Sequence, residues 1–105
     1  MNYHTTPFNT PKKILVITNN NSLIQSTTNC LSQLDPLYEL LAATNGNMGC
    51  KLAQQILPDL ILLDWKINAL SCLDSIKTLR QHAATRLIPI LIIIEKSIEH
   101  NQALA

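Results

Sequence analysis

Four short, mainly apolar runs, separated by longer polar or amphipathic segments, dominate this chain of 105 residues. The runs begin at Ile14, Tyr38, Leu60 and Ile88. Short apolar runs with little alternation are typical of strands buried on both faces, as in parallel sheets. Parallel strands need crossover connections, and the intervening segments are long enough to be helices. The sequence therefore predicts an α/β fold in which helices cover both faces of a parallel sheet.

Periodicity and helix-stopping residues give approximate bounds for each element. Strands are predicted at 14–17, 38–44, 60–63 and 88–94, and helices at 23–34, 48–57, 71–82 and 96–105. Asp35-Pro36 and Pro58 end the first two helices, because the residue before a proline avoids the helical region. The second strand is ambiguous, since residues 39–42 would also suit a helix.

Helical spacing assigns one face of each helix to the core. The predicted inward side chains are Leu23, Ile24, Thr27, Leu31 and Leu34 in the first helix, Leu52, Ala53, Ile56 and Leu57 in the second, and Leu73, Ile76 and Leu79 in the third. The polar segment 1–11 has no such periodicity and is interpreted as a flexible N-terminal tail. Residues 12–105 are then one domain.

Composition excludes several classes of protein. A net charge of +1 with 14% charged residues gives no electrostatic footprint for nucleic acid or for an anionic membrane. The longest apolar run, Ile88–Ile94, is too short to span a bilayer, and the N-terminus lacks the apolar stretch of a signal peptide. The three cysteines form neither a CxxC pair nor an even disulfide set, so reduced and mostly buried thiols are expected. We therefore expect a cytoplasmic protein.

Asp64 is the main candidate for a functional residue. It closes the run Pro58–Asp64, whose apolar centre predicts a strand buried on both faces. In open α/β sheets, ligands bind in the crevice at the carboxyl ends of the strands. The sequence therefore predicts that the Asp64 carboxylate points into a crevice of this kind.

Several segments together resemble a response-regulator receiver domain, the phosphoacceptor module of two-component signalling. They are Lys12–Val16, Pro58–Asp64, Ala83–Thr85 and Ile88–Ile90. The resemblance covers 12–105 and implies a flavodoxin-like three-layer fold with four parallel strands in the order 2-1-3-4, the fifth strand and its helix missing. It also implies that Asp64 is the phosphoacceptor for a histidine kinase.

The rest of the phosphorylation site departs from the receiver pattern. The acidic pair that binds a divalent metal in receivers falls on Thr18 and Asn19, which are both neutral. The hydroxyl residue at the end of the fourth strand falls on Ile94, or on Ile93 if the alignment shifts by one, and the lysine of the fifth strand has no counterpart. Because Mg²⁺ is usually held by one or two carboxylates together with phosphate, we expect much weaker metal binding.

Other polar residues are candidate neighbours of a metal or phosphate. Besides Thr18, Asn19 could offer a carbonyl oxygen and Glu95 a carboxylate, while Lys66 and Lys96 are candidate cations. None of these is a clear replacement for the missing acidic pair. We therefore expect Mg²⁺ to bind weakly at most and predict no other cofactor.

Three functions remain open. The leading one is a non-enzymatic receiver-like domain in phosphorelay signal transduction, with Asp64 as phosphoacceptor and a histidine kinase or other signalling protein as partner. The first alternative is a pseudo-receiver that docks partners without phosphorylation. The second is a flavodoxin-like small-ligand-binding domain, which is disfavoured because the loop Thr18–Ser22 has no glycine and no Thr-Gly phosphate-binding pattern.

The fourth predicted strand also raises a question of assembly. Without a fifth strand, residues 90–94 form a bare apolar edge, which invites pairing with another chain. We predict a homodimer through the fourth strand or the fourth helix, or else that the chain is a fragment of a longer protein.

Overall fold

The computed structural model describes residues 11–34 and 37–94, which form a four-stranded parallel sheet and three helices. The strands are β1 (Lys12–Ile17), β2 (Tyr38–Ala43), β3 (Leu60–Asp64) and β4 (Ile90–Ile93), and the helices are α1 (Asn21–Leu34), α2 (Gly46–Ile56) and α3 (Ala69–Gln81). The strand order is β2-β1-β3-β4, and every neighbouring pair is parallel. The predicted fold class and strand order are confirmed.

The ambiguous second segment is a strand. Its register with β1 runs without a break from the pair Lys12–Tyr38 to the pair Ile17–Ala43. The ladder with β1 supplies the backbone hydrogen bonds that a helix would otherwise have formed internally. The predicted fourth helix at 96–105, and the predicted tail except for Pro11, lie outside the described residues.

Each helix begins two residues earlier than the apolar periodicity indicates, and in each case an asparagine explains the difference. The Oδ1 atom of Asn20 accepts hydrogen bonds from the N–H groups of Ser22 and Leu23. Asn45 and Asn68 cap α2 and α3 in the same way. Asparagine is a preferred N-cap residue because its side chain satisfies the first free N–H groups of a helix.

One face of the sheet carries the main core. Leu15 and Ile17 of β1 and Ile61 and Leu63 of β3 are buried there in register, beneath α2 and α3. Helix α2 approaches β1 closely at Gly49, where a Cβ atom would lie 2.7 Å from Cγ1 of Ile17. Residues larger than glycine would overpack this contact.

The opposite face of the sheet is more lightly covered. Ile14 and Val16 are buried on it, and α1 lies over this side, but none of the residues of α1 is fully buried. Four of the predicted inward residues of α1 are partly buried. The fifth, Leu34, is 71% exposed, so that its inward placement was wrong. It lies in the last turn of α1, at the end of the helix.

Two further expectations about burial were wrong. Leu57 is exposed because α2 ends at Ile56, and Leu57 adopts the left-handed conformation of a C-cap, with φ 49°. Leu73 is exposed because α3 turns Cys72 toward the core in its place, whereas Leu79 is buried as predicted. The cysteines are mostly buried, as predicted, since only Cys30 on α1 is exposed.

The connection from α3 to β4 is held by two side chains. The Arg80 guanidinium donates hydrogen bonds to the carbonyl oxygens of Arg86 at 2.7 Å and Ile88 at 2.9 Å. The buried hydroxyl of Thr85 donates to the carbonyl oxygen of Leu79 at 2.7 Å. Because Ile88 still belongs to this turn, through its N–H bond to Thr85, β4 starts later than the predicted residue 88.

Candidate functional site

Asp64 is the last residue of β3 and is only 4% exposed. It pairs with Ile93 of β4, and Thr18 follows the last paired residue of β1 on the other side. Because parallel strands end at the same edge of a sheet, these three residues come together at the carboxyl edge. The candidate site is therefore at the position in the sheet where open α/β folds bind ligands.

The Thr18 hydroxyl is the closest partner of the Asp64 carboxylate. It donates a buried hydrogen bond of 2.6 Å to Oδ2 of Asp64. The same hydroxyl oxygen accepts a hydrogen bond of 3.0 Å from the N–H group of Asn20. Hydrogen bonds to an ionised acceptor are short and about twice as strong as neutral ones, so this contact ties the loop after β1 to the end of β3.

The other atoms of Asp64 are also engaged. The backbone N–H of Lys66 donates to Oδ1 at 3.0 Å. The backbone carbonyl oxygen of Asp64 accepts a bond from the Cys72 thiol at 3.3 Å and one from the N–H group of Ile67 at 3.3 Å. Each carboxylate oxygen thus has a hydrogen-bond donor from this chain, as expected for a buried polar group.

A cavity of about 330 Å³ opens beside Asp64. Asn20, Ser22 and Ser26 contribute its polar wall together with Lys66, and Leu23 and Ile93 its apolar wall. The hydroxyl residue of the receiver pattern aligns with either Ile93 or Ile94. Ile93 lines the cavity, whereas Ile94 is largely exposed.

The structure brings together some of the predicted site residues. Thr18, Asp64 and the Lys66 backbone are in direct contact, while Asn19 is exposed and makes none of the hydrogen bonds to Asp64. Glu95 and Lys96 lie outside the described residues.

Sequence reasoning missed three residues of the cavity, namely Asn20, Ser22 and Ser26. A signal for them was present, since Asn20 is a capping residue and the two serines are four positions apart on one helical face.

The described residues at this site do not fit a magnesium ion. Mg²⁺ prefers carboxylate oxygens in octahedral geometry, and Asp64 is the only carboxylate among the described residues that line the cavity. Its Oδ2 atom already accepts the Thr18 hydrogen bond. Within residues 11–34 and 37–94, no group of three histidine, cysteine or acidic side chains is placed to hold a metal ion.

Two thiols behind the site are held in their neutral form. Burial raises the pKa of the Cys72 thiol, a backbone hydrogen bond at Asn68 lowers it by less, and the negative charge of Asp64 contributes the smallest effect, which raises it. Burial likewise raises the pKa of Cys50, which donates a hydrogen bond to the carbonyl oxygen of Ser75. Neither thiol has the exposed, low-pKa surroundings of a reactive cysteine.

Solved structures of response regulators have the same fold as this chain. The chemotaxis response regulator CheY4 of Vibrio cholerae is 26% identical over 89% of this chain and 77% of its own, with a TM-score of 0.71. A response regulator from Hahella chejuensis is 25% identical over 87% and 70%, with a TM-score of 0.73. The N-terminal domain of a receiver protein from Methanoculleus marisnigri JR1 is 23% identical over 86% and 73%, with a TM-score of 0.70.

These likenesses show that the chain has the fold of response-regulator receiver domains. No protein-family model matches the sequence, and no curated protein matches it. None of the three described helices has the length and apolar character needed to cross a membrane.

Proposed function

We propose that this chain is a receiver-like signalling module that binds its partner proteins without phosphorylation of Asp64. The observation that carries this proposal is the 2.6 Å hydrogen bond from Thr18 to Asp64. Thr18 has a neutral hydroxyl at a position where the receiver pattern has a metal-binding acid. The carboxylate is thus bound by the chain itself.

The physics of phosphoryl transfer supports this proposal. Catalysis of the transfer is mostly positioning and neutralisation of charge on the phosphoryl oxygens by metal ions and cationic groups. At about 4 Å and an effective dielectric constant of 20, one unit-charge pair contributes roughly 4 kcal/mol before hydration is subtracted. Two neutral residues at Thr18 and Asn19 remove two such contributions to metal binding.

The same contacts connect the segments around Asp64, which form the docking surface that we propose. Thr18 and Asn20 connect the loop after β1 to Asp64, and Lys66 and Cys72 connect Asp64 to the segment that leads into α3. A surface that is already ordered loses less conformational entropy when a partner binds. The role that we propose is therefore docking in the cytoplasm, without enzymatic activity.

A second function, slow phosphorylation of Asp64 within a phosphorelay, is favoured by one observation. Asp64 borders a cavity that is partly lined by hydroxyl groups and Lys66, next to the opening at the sheet edge. The hydrogen bond from Thr18 weakens Oδ2 as a nucleophile toward the phosphoryl group of a small phosphodonor or of a histidine kinase. We therefore expect any such reaction to be slow.

Intact-mass measurement after treatment with acetyl phosphate and Mg²⁺ tests the proposal. Three proteins are compared, namely the wild type, Asp64→Asn and Thr18→Asp. We expect no phosphoryl adduct on the wild type or on Asp64→Asn. A phosphoryl adduct on the wild type that is absent from Asp64→Asn would overturn the proposal in favour of phosphorelay.

The flavodoxin-like alternative has a separate test. A flavin-binding protein absorbs visible light when purified, and a protein loaded with added flavin quenches the fluorescence of the flavin. We expect a colourless preparation and no quenching. Stoichiometric flavin binding would contradict the docking proposal.

A further inference from the structure

Each of the three described helices begins after an asparagine, and one of these asparagines is followed by glycine. The side chains of Asn20, Asn45 and Asn68 each accept a hydrogen bond from a backbone N–H group of the first turn. Asn45-Gly46 is the only Asn-Gly pair in the sequence. The backbone nitrogen of a glycine can approach the side-chain amide carbon of the preceding asparagine closely, because glycine has no Cβ atom in the way.

The packing of α2 against α3 requires this glycine. Gly46 is buried, and a Cβ atom at position 46 would overlap Oγ of Ser75 on α3. That oxygen is held in place, since Ser75 is buried and its hydroxyl donates a hydrogen bond of 2.9 Å to the carbonyl oxygen of Ser71. The added Cβ atom would also lie 3.3 Å from Oγ of Ser71. The fold therefore places glycine directly after the asparagine that caps α2.

The cap restrains the side chain that would react. Oδ1 of Asn45 accepts a hydrogen bond of 2.8 Å from the N–H group of Met48, and the backbone of Asn45 is extended, with φ −152° and ψ 168°. Attack by the Gly46 nitrogen on the side-chain amide closes a five-membered ring, which turns the amide away from Met48. Because Asn45 is exposed, water reaches the product of this attack. Ring closure therefore needs the cap to open first.

We propose that Asn45 is a site of spontaneous deamidation, and that the N-cap of α2 slows the reaction in the folded protein. The backbone nitrogen of Gly46 bonds to Cγ of Asn45 and loses its proton, and the side-chain amide nitrogen leaves with that proton as ammonia. One water molecule then opens the cyclic imide. Its attack on Cγ gives aspartate, and its attack on the backbone carbonyl carbon gives isoaspartate.

The two products affect α2 in opposite directions. Aspartate at position 45 is still a preferred N-cap residue, and its negative charge lies at the positive end of the helix dipole, where it is stabilising. Isoaspartate lengthens the backbone by one carbon atom between the cap and the helix. The bond to Met48 and the close packing of Gly46 against Ser75 then no longer fit together.

Peptide mapping of the complete chain tests the proposal. The protein is incubated in mildly alkaline buffer with and without denaturing urea, and each asparagine is followed by the mass change of amide loss, localised by fragmentation. Asn68 is the matched control, because it is also an exposed N-cap but precedes alanine. We expect Asn45 to convert in both samples, at least about fivefold more slowly in the folded protein, because the cap holds the reactive conformation at low population.

Three results would overturn the proposal. Equal rates for Asn45 with and without urea would show that the cap does not restrain it. Conversion of Asn68 in urea as fast as that of Asn45 would remove the role of Gly46, and no conversion of Asn45 in either sample would remove the site. Asn45→Ser, which keeps a capping side chain without the amide, should show no change at position 45. Asp64→Asn should convert at the wild-type rate, so failure here would leave the docking proposal standing.

Discussion

At the scale of single residues, Thr18 and Asp64 lie side by side at the carboxyl ends of β1 and β3. The hydroxyl of Thr18 donates a hydrogen bond to the Asp64 carboxylate. A second carboxylate at position 18 would instead repel Asp64, and the two could share a cation. The side chain at position 18 therefore decides whether the site can hold a metal ion or forms an internal hydrogen bond.

Removal of the Thr18 hydroxyl should destabilise the fold. Thr18→Val keeps the shape of the side chain but leaves Oδ2 of the buried Asp64 without this donor. Hydrogen bonds to charged groups contribute about 1.5–3 kcal/mol, and we expect a loss in that range in the free energy of unfolding by urea. Thr18→Ser, which keeps the hydroxyl, is the control and should lose about 1 kcal/mol for one methyl group. Equal losses in the two variants would contradict the role of the hydrogen bond.

Restoration of an acid should create metal dependence. In Thr18→Asp, two carboxylates lie together at the site and repel each other, so that we expect lower stability without metal. Magnesium bound between them should raise the stability in proportion to RT ln(1 + [Mg²⁺]/Kd). The measurement is urea unfolding with and without millimolar Mg²⁺, with the wild type and Thr18→Asn as controls. A wild type that is stabilised by Mg²⁺ as strongly as Thr18→Asp would count against a neutral site.

The sequence alone predicts Asp64 at the end of a buried strand, and its resemblance to receivers assigns the neutral Thr18 to the position of a metal-binding acid. It does not reveal the 2.6 Å contact, since that distance depends on the register between β1 and β3. Asn20 was overlooked as a wall of the cavity for the same reason. Its capping role is local, but its place beside Asp64 is set by the packing of α1 on the sheet.

At the scale of elements, apolar runs located the four described strands, and prolines located the ends of the first two helices. The errors lie where a helix ends or rotates. Leu57 continues the apolar pattern of α2 but adopts a left-handed conformation as its C-cap. Leu73 has the correct spacing for an inward face, yet Cys72 is buried instead. Periodicity specifies a face only to within one residue, and packing against the sheet selects the rotation.

Arg80 should stabilise the connection between α3 and β4. Its guanidinium donates to two carbonyl oxygens of the following loop, at 2.7 and 2.9 Å. We expect Arg80→Ala to lower the free energy of unfolding by about 2 kcal/mol, because charged donors to these carbonyls are lost. Lys77→Ala, an exposed change on the same helix, should stay within about 0.5 kcal/mol of the wild type. The prediction fails if both variants unfold at the same urea concentration.

At the scale of the whole molecule, burial is uneven across the sheet. The face beneath α2 and α3 holds most of the fully buried side chains, whereas α1 and β4 are loosely covered. The exposure of Leu91 and Ile92 on β4 was not predictable from the sequence, because exposure depends on what packs above and below a strand.

The three cysteines should report this uneven burial. Cys30 is exposed, whereas burial raises the pKa of both Cys50 and Cys72. We expect a thiol reagent to modify one cysteine rapidly in the native protein and all three after unfolding. Because the folded state favours the neutral thiols, stability is present below the ordinary thiol pKa and falls as the pH rises through the raised values. Rapid native labelling of all three would contradict the described core.

The central claim is that Asp64 is bound by its own chain and is not a metal-dependent phosphoacceptor. The most direct measurement is the amide spectrum of ¹⁵N-labelled protein before and after addition of beryllofluoride and Mg²⁺, which together mimic a phosphoryl group on aspartate. We predict unchanged signals for Thr18, Asn20 and Lys66, as in the Asp64→Asn control. Shifts of those three amides in the wild type alone would contradict the claim.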